Sequence, residues 1–187
     1  MEAQPVASPA DLKLLESKLL GLQAIAFDVD GVLTDGGILW GPNGEEWKRF
    51  HFSDIMGISL ARRLGLTMAL ISGEPSPLVD RYAEKMRIKH VVKGCRDKAT
   101  AFRDFADKHR IPIENCGFMG DDINDLPAMR VAGFSAAPAN AAPEVLAHVD
   151  FRCTRMGGNG AVRELIDAML AARSLDPGEV FTRRPPD

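Results

Sequence analysis

The sequence predicts an α/β fold, a Rossmann-like and mostly parallel sheet with helices on both faces. Two observations carry this expectation. Short apolar runs (QAIAF, LTMALIS, IKHVV, CGFMG, GFSAA) alternate with longer segments of helical period, the order that builds parallel strands joined by crossover helices. In addition, Asp28, Ser72 and Asp121 each stand just past the end of such a run. In open α/β sheets the ligand crevice lies beyond the carboxyl ends of the strands.

Each element can be justified in chain order. Ser8 and Pro9 fit the N-cap and first position of a helix through about Leu20, giving an N-terminal helical segment over 1–21. The main domain follows over 22–173. QAIAF is a strand ending on Asp28. GGILWGPNGEEWKRFHF reads as two strands around a Gly-Pro-Asn-Gly turn, a β-hairpin flap over about 36–52. Asp54 is placed to cap a helix ending near Gly65, with Leu60 and Leu64 at core spacing. LTMALIS is a buried-type strand, followed by a helix over 76–87, the strand IKHVV, and a helix from about Asp97 to His109. CGFMG leads into Asp121, and a short helix spans about 124–131. GFSAA is a strand, PEVLAHV a short helix, DFRC an edge strand, and 160–173 the final helix. Residues 174–187, rich in proline and charge, read as a flexible tail.

Bulk properties remove several function classes. A chain of 187 residues with 45% hydrophobic and 26% charged residues is that of one ordinary globular domain. A net charge of −3 gives no sign of nucleic-acid or membrane binding. No apolar stretch approaches the ~20 residues of a membrane span. The N-terminus lacks the basic and apolar regions of a secretory signal. Cys95, Cys116 and Cys153 lie far apart without a CxxC spacing, as expected of reduced thiols in the cytoplasm. The four histidines form no ligand pattern, and GxxxxGK[ST] is absent, which excludes a P-loop nucleotidase.

The chemistry sits in four blocks: FDVDGVLTDGG, LISGE, KGCRDKATAF and GDDIND. The first and last bring together carboxylates that would repel one another and raise each other's pKa unless a cation sat among them. Mg²⁺ favours about six oxygen ligands, commonly one or two carboxylates, waters and substrate phosphate. Asp28 and Asp121 can supply the carboxylates, Lys98 a point charge and Ser72 a hydrogen-bond donor for a phosphoryl group. One carboxylate can then act as a nucleophile, and an acid two residues on can serve the leaving oxygen. A lone Asp after a strand is ordinarily a cap or turn former, which suits Asp54, Asp97 and Asp125. The DxD at 28–30 combined with GDDxxD is not explained that way.

With these motifs in order, DVDGV (28–32), the Ser-Gly of ISGE, Lys98 and GDDIND (120–125), the chain resembles the haloacid dehalogenase superfamily. The resemblance implies Asp28 as nucleophile and Asp30 as general acid/base. It implies phosphate binding by Ser72, Gly73 and Lys98. Mg²⁺ would be bound by Asp28, the Asp30 backbone carbonyl and Asp121, with Asp122 and Asp125 in support. VLTDGGILWGPNGEEWKRFHFSDIMGI and GGNGAVREL are similar to the small phosphatases for 3-deoxy-octulosonate 8-phosphate and nonulosonate 9-phosphate. That resemblance implies no separate cap domain and a homotetramer built through the hairpins. Ile38, Trp40, Trp47, Phe50 and Phe52 make a hairpin too apolar to stand alone in water, which fits such an interface. Arg155 and Arg163 flank the glycines and would suit an acidic sugar's carboxylate.

The chain departs from the octulosonate pattern after the second motif, where Glu74 replaces a common arginine. Glu74 with Lys85 resembles the nonulosonate branch. The expectation is therefore a Mg²⁺-dependent phosphatase for a 2-keto-3-deoxy sugar acid phosphate, the nonulosonate preferred and the octulosonate as the alternative. From other classes, a phospho-receiver would place its acceptor aspartate after a middle strand, well after an acidic pair. An inactive oligomeric binding module would not need the intact acidic set.

Overall fold

The computed structural model describes residues 9–185, so the Ser8 cap lies outside the described residues. Helix α1 runs Pro9–Gly21 and strand β1 Ala24–Phe27. The hairpin strands are β2, Leu39–Trp40, and β3, Glu46–Trp47. Then follow α2 (Phe52–Arg63), β4 (Thr67–Ile71), α3 (Pro77–Met86), β5 (His90–Val92) and α4 (Lys98–His109). The chain continues through β6 (Cys116–Met119), α5 (Leu126–Val131), β7 (Phe134–Ala137), α6 (Pro143–Leu146), β8 (Phe151–Arg152), α7 (Ala161–Ala172) and α8 (Pro177–Thr182).

Six strands form one parallel sheet in the order β5-β4-β1-β6-β7-β8. The chain moves outward from β1 to β4 and β5, then returns to place β6 on the other side of β1. That reversal opens a crevice between β1 and β6 at their carboxyl ends. Phe27 pairs with both Leu70 and Met119, so Asp28, Ser72 and Asp121 emerge from three adjacent strands at one end.

Strand β1 is buried along its whole length because both faces are covered. Ile25 and Phe27 pack into a core with residues of α1, α2, α3, α7 and α8, including Leu19, Ile58, Tyr82, Leu165 and Val180. Ala24 and Ala26 face the second core, built around Phe102 and Phe105 of α4 with Met129 and Val145. Alanines on that side let the aromatic rings approach the sheet closely, and Phe102 meets Phe118 edge-on at 5.5 Å.

Three expectations are corrected. First, Asp54 does not cap its own helix. His51 takes that position, its ring accepting the Ser53 N–H. The buried Asp54 carboxylate instead accepts the N–H groups of Gly160 (2.9 Å) and Arg163 (3.0 Å). It thereby joins the first turn of α2 to the opening turn of α7, where Gly57 leaves room for the close approach of Arg163.

Second, residues 174–185 of the tail are docked and not flexible. Asp176 caps α8 through the Glu179 N–H at 2.9 Å, Val180 is fully buried, and the Arg63 guanidinium lies 4.6 Å over the Phe181 ring. A short apolar stripe in a polar segment was enough to dock it.

Third, Phe50 does not join the exposed hairpin surface. It stacks on Tyr82 at 4.2 Å between ring centroids and pins the flap to α3. The tip does remain open, with Leu39 63% and Trp40 75% exposed, whereas Phe52, 73% exposed, is the first residue of α2 and not part of the hairpin.

Replacing Asp54 with alanine leaves two amide donors without their acceptor, each loss costing about 1–3 kcal/mol. Urea denaturation of Asp54→Ala should show a loss of about 3 kcal/mol at an unchanged m value. A change within about 0.5 kcal/mol would remove the α2–α7 bond from the account of stability.

Candidate active site

The site grows from three turns at the carboxyl ends of β1, β4 and β6. Asp28 leaves β1 with its N–H donated to the Met119 carbonyl at 2.9 Å, and Ser72 leaves β4 with its N–H donated to Val92 at 2.9 Å. Gly31 then turns the chain with a φ of +90°, and a Cβ there would stand 2.0 Å from Asp121 Oδ2. Gly157 serves the same loop from behind, where a Cβ would come within 1.7 Å of the Gly31 carbonyl. These two contacts explain why glycines occupy both positions.

Lys98 is the first residue of α4, directly after Asp97, whose carboxylate caps the helix through the Thr100 N–H at 3.0 Å. A cation at a helix N-terminus opposes the helix dipole, and burial alone would pull its pKa down. Lys98 is nonetheless held above the usual ammonium range, because Asp28 and Asp125 surround it. Its Nζ stands 2.9 Å from Asp28 Oδ1 and 2.6 Å from Asp125 Oδ1. The second oxygen of Asp125 accepts the N–H groups of Asp121 (3.0 Å) and Asp122 (3.3 Å). Asp125 is thus fully engaged as a brace.

Burial pushes the Asp28 carboxyl up to about 7, with Asp125 adding to the rise and Lys98 opposing it. Asp121 is likewise pushed up to about 7, first by burial and then by the fields of Asp28, Asp125 and Asp122. One oxygen from each of Asp28, Asp121 and Asp125 falls within 4.8 Å of the others. Asp121 Oδ1 is buried with no hydrogen-bond partner. Crowded carboxylates, one with an unpartnered oxygen, fit a hard divalent cation. Since Asp125 is already saturated, the fit is best between Asp28 and Asp121.

Asp30 is held differently. Its Oδ1 receives the Lys48 ammonium and, at 3.4 Å, the Thr34 hydroxyl, while its Oδ2 is buried without a partner. Lys48 comes from the hairpin, and its side chain is only 1% exposed. Ser76, the cap of α3, donates to Glu46 of the hairpin at 2.8 Å, and Glu46 stands 3.7 Å from Lys48. Lys48, Thr34, Ser76 and Glu46 escaped the sequence reading. Thr34, Glu46 and Lys48 lie within stretches that carry the resemblance but have no role assigned by it, and only the apolar company of Lys48 in EEWKRF hints that its stem is covered.

The remaining expected residues are dispersed. Ser72 Oγ accepts the Glu74 N–H at 3.1 Å, and its own proton finds only the Glu74 carbonyl at 3.4 Å. Gly73 and Glu74 are exposed at the mouth. Lys85 is exposed in the last turn of α3, about 13 Å along the helix axis from its Ser76 cap. No ion pair joins it to Glu74 among the described residues. Asp122 is exposed and accepts the Ile123 N–H at 2.7 Å, so it turns into its own loop, and the bracing falls to Asp125. Arg163 pairs with Asp167 at 2.8 Å within α7. Arg155 is exposed, its guanidinium beside Gly160.

Comparison with known proteins agrees with this architecture. The haloacid dehalogenase-like hydrolase family matches over residues 69–165. The 3-deoxy-D-manno-octulosonate 8-phosphate phosphatase of Escherichia coli (strain K12) is 38% identical over 157 residues, covering 84% of each chain. The crystal structure of the corresponding phosphatase from Moraxella catarrhalis, in complex with a magnesium ion, phosphate and a KDO molecule, superposes with a TM-score of 0.82. It is 37% identical, over 84% of this chain and 91% of that one. A chain from Legionella pneumophila, assigned to subfamily III A of the haloacid dehalogenase superfamily, gives a TM-score of 0.87. It is 35% identical, over 92% and 93% of the two chains. The chain belongs to the haloacid dehalogenase-like hydrolases and, within them, to the capless sugar-acid phosphate phosphatase family.

Proposed function

We propose that this protein is a Mg²⁺-dependent phosphomonoesterase acting on 3-deoxy-D-manno-octulosonate 8-phosphate through an aspartyl-phosphate intermediate. The observation that carries the chemistry is the buried set of Asp28, Lys98, Asp125 and Asp121, with an unpartnered carboxylate oxygen facing its neighbours. The substrate follows relatives at 36–38% identity that are named as phosphatases for the octulosonate. The nonulosonate preference rested on the resemblance of Glu74 and Lys85 to that branch, and the octulosonate relatives outweigh it.

Mg²⁺, held by Asp28, Asp121 and the Asp30 carbonyl, would neutralise phosphoryl charge and the repulsion among the carboxylates. Lys98 fixes Asp28 Oδ1, which leaves Oδ2 to attack phosphorus. Ser72 donates its proton to a phosphoryl oxygen in exchange for the long contact to Glu74, with the Gly73 N–H beside it. As the phosphorus–oxygen bond to the sugar breaks, Asp30 gives its proton to the leaving oxygen. The Asp30 carboxylate then takes a proton from water as that water attacks the aspartyl phosphate, releasing phosphate and restoring Asp28. Lys48 and Thr34 occupy Asp30 Oδ1, so Oδ2 is the atom that carries the proton. Arg155 is better placed than Arg163 for the sugar's carboxylate, because Asp167 already engages Arg163.

The open hairpin supports assembly through this flap, and we assign it to a homotetramer. Free thiols at Cys95, Cys116 and Cys153 support a cytoplasmic setting. No helix among the described residues is long and apolar enough to cross a membrane.

The test of substrate is phosphate release from octulosonate 8-phosphate and nonulosonate 9-phosphate, with Asp28→Asn as control. The octulosonate should lead in kcat/KM by at least about tenfold, a difference of about 1.4 kcal/mol, and Asp28→Asn should release none. An equal or reversed ratio rejects the substrate, and turnover by Asp28→Asn rejects the nucleophile.

Metal binding predicts a specific pH dependence. Folded Asp28 and Asp121 titrate at about 7, above the usual 3.8. Between about pH 4 and 7 the metal-free folded protein therefore holds protons that the unfolded chain has released, and its stability falls as pH rises. The Tm gain from saturating Mg²⁺ should be larger at about pH 7.5 than at about pH 5. An equal or smaller gain at the higher pH contradicts a cation shared by these two acids.

For assembly, light scattering should report a tetramer that Trp40→Glu dissociates. A wild-type monomer, or a variant that stays tetrameric, moves the interface away from the hairpin tip.

A further inference from the structure

A cavity of about 720 Å³ opens at the far end of the sheet from the acidic cluster, beside Thr67 and Met68 at the start of β4 and His90 at the start of β5. Four basic side chains line it, Arg62, Arg87, Lys89 and Arg184, together with the imidazoles of His90 and His109. No described carboxylate is in its wall. In a chain of net charge −3, such a concentration of positive charge is not a reflection of composition.

None of the four cations takes part in an ion pair among the described residues. Arg62 Nε and His90 Nδ1 are buried and have no hydrogen-bond partner, and Arg62 otherwise reaches only the Met86 carbonyl at 3.5 Å. Burial and the fields of Arg87 and Arg63 lower the Arg62 pKa. Burial, Lys108 and His109 lower that of His90, against the opposing field of Asp104. Arg87 is presented from a left-handed backbone conformation with φ 57°, where glycine or asparagine is the usual choice. Gathering these like charges with no carboxylate among the described residues of the wall costs free energy that a bound anion would recover.

The other walls are apolar. Leu66, Met68 and Ile88 contribute to the lining, and the rings of His90 and His109 meet edge-on at 5.9 Å. The volume lies within the roughly 300–1,000 Å³ of small-molecule sites. We propose that this cavity is a second ligand site for a nucleoside triphosphate, its phosphates held by Arg62, Arg87, Lys89 and Arg184 and its base laid against the apolar and imidazole wall. The site is separate from the catalytic one: the length of β4 alone places it about 16 Å from Ser72. It does not depend on the identity of the sugar substrate.

Calorimetric titration of the metal-free full-length protein with ATP, at low salt and without chelator, tests the proposal. Saturable binding is expected. It should weaken at least tenfold in the exposed double variant Lys89→Glu/Arg184→Glu and again in Arg87→Asn, which keeps the left-handed turn. Asp28→Asn should bind within twofold of wild type, and inorganic tripolyphosphate at least tenfold more weakly than ATP. Absence of binding overturns the proposal, as does binding indifferent to the cavity variants or lost equally in Asp28→Asn. Tripolyphosphate binding as tight as ATP overturns the nucleoside assignment.

Discussion

One buried ammonium organises the catalytic end of this protein. Lys98 lies between Asp28 and Asp125, all three nearly inaccessible to water. A buried ion triad of this kind is a poor source of stability, because desolvation consumes much of the Coulombic gain. It does, however, impose a geometry that no apolar packing would. Asp28 can face Lys98 only from the end of β1, and Asp125 can reach it only if residues 120–122 wrap back around its second oxygen. The loop that carries Asp121 is therefore shaped by the same carboxylate that neutralises Lys98. Removing Lys98 leaves two buried carboxylates without compensation, whereas removing Asp28 still leaves Lys98 paired with Asp125.

The hairpin connects to this centre by polar contacts, although its most visible trait is apolar. Lys48 reaches Asp30, Glu46 reaches Ser76, and Phe50 stacks on Tyr82. Three side chains on one face thus grip the site while Trp40 and Leu39 on the tip remain uncovered. Flap position and the environment of Asp30 are linked directly: moving the hairpin away would expose Asp30 and take its counter-charge with it.

Much of this was legible in the sequence. Apolar runs followed by Asp28, Ser72 and Asp121 gave the parallel sheet and its active end, since strand direction and side-chain chemistry are both local signals. Residues whose meaning depends on distant partners were not legible. Asp54 looked like an ordinary helix cap because its true partners, the amides of Gly160 and Arg163, lie more than a hundred positions away. Lys48 has no motif because the acid it meets is fixed by the hairpin's return path. Lys85, grouped with Glu74 through family resemblance, stands exposed in the last turn of α3, where its position depends on the course of that helix. The tail read as flexible from its composition, because the docking of Val180 and Phe181 depends on a surface that α2 supplies.

The bond from Asp54 to the start of α7 also sets the order in which this chain can mature. Its partners lie 106 and 109 residues downstream, and the central strand β1 must wait for β6 to cover its second edge. A ribosome therefore exposes the first half of the domain well before it can close. Contacts of such long range slow folding. A nascent chain stalled before residue 160 holds an acid whose amides do not yet exist, and one stalled before β6 also leaves an edge of β1 open. Such fragments are natural clients for chaperones and proteases, and the late arrival of α7 marks the point at which the domain can leave their care.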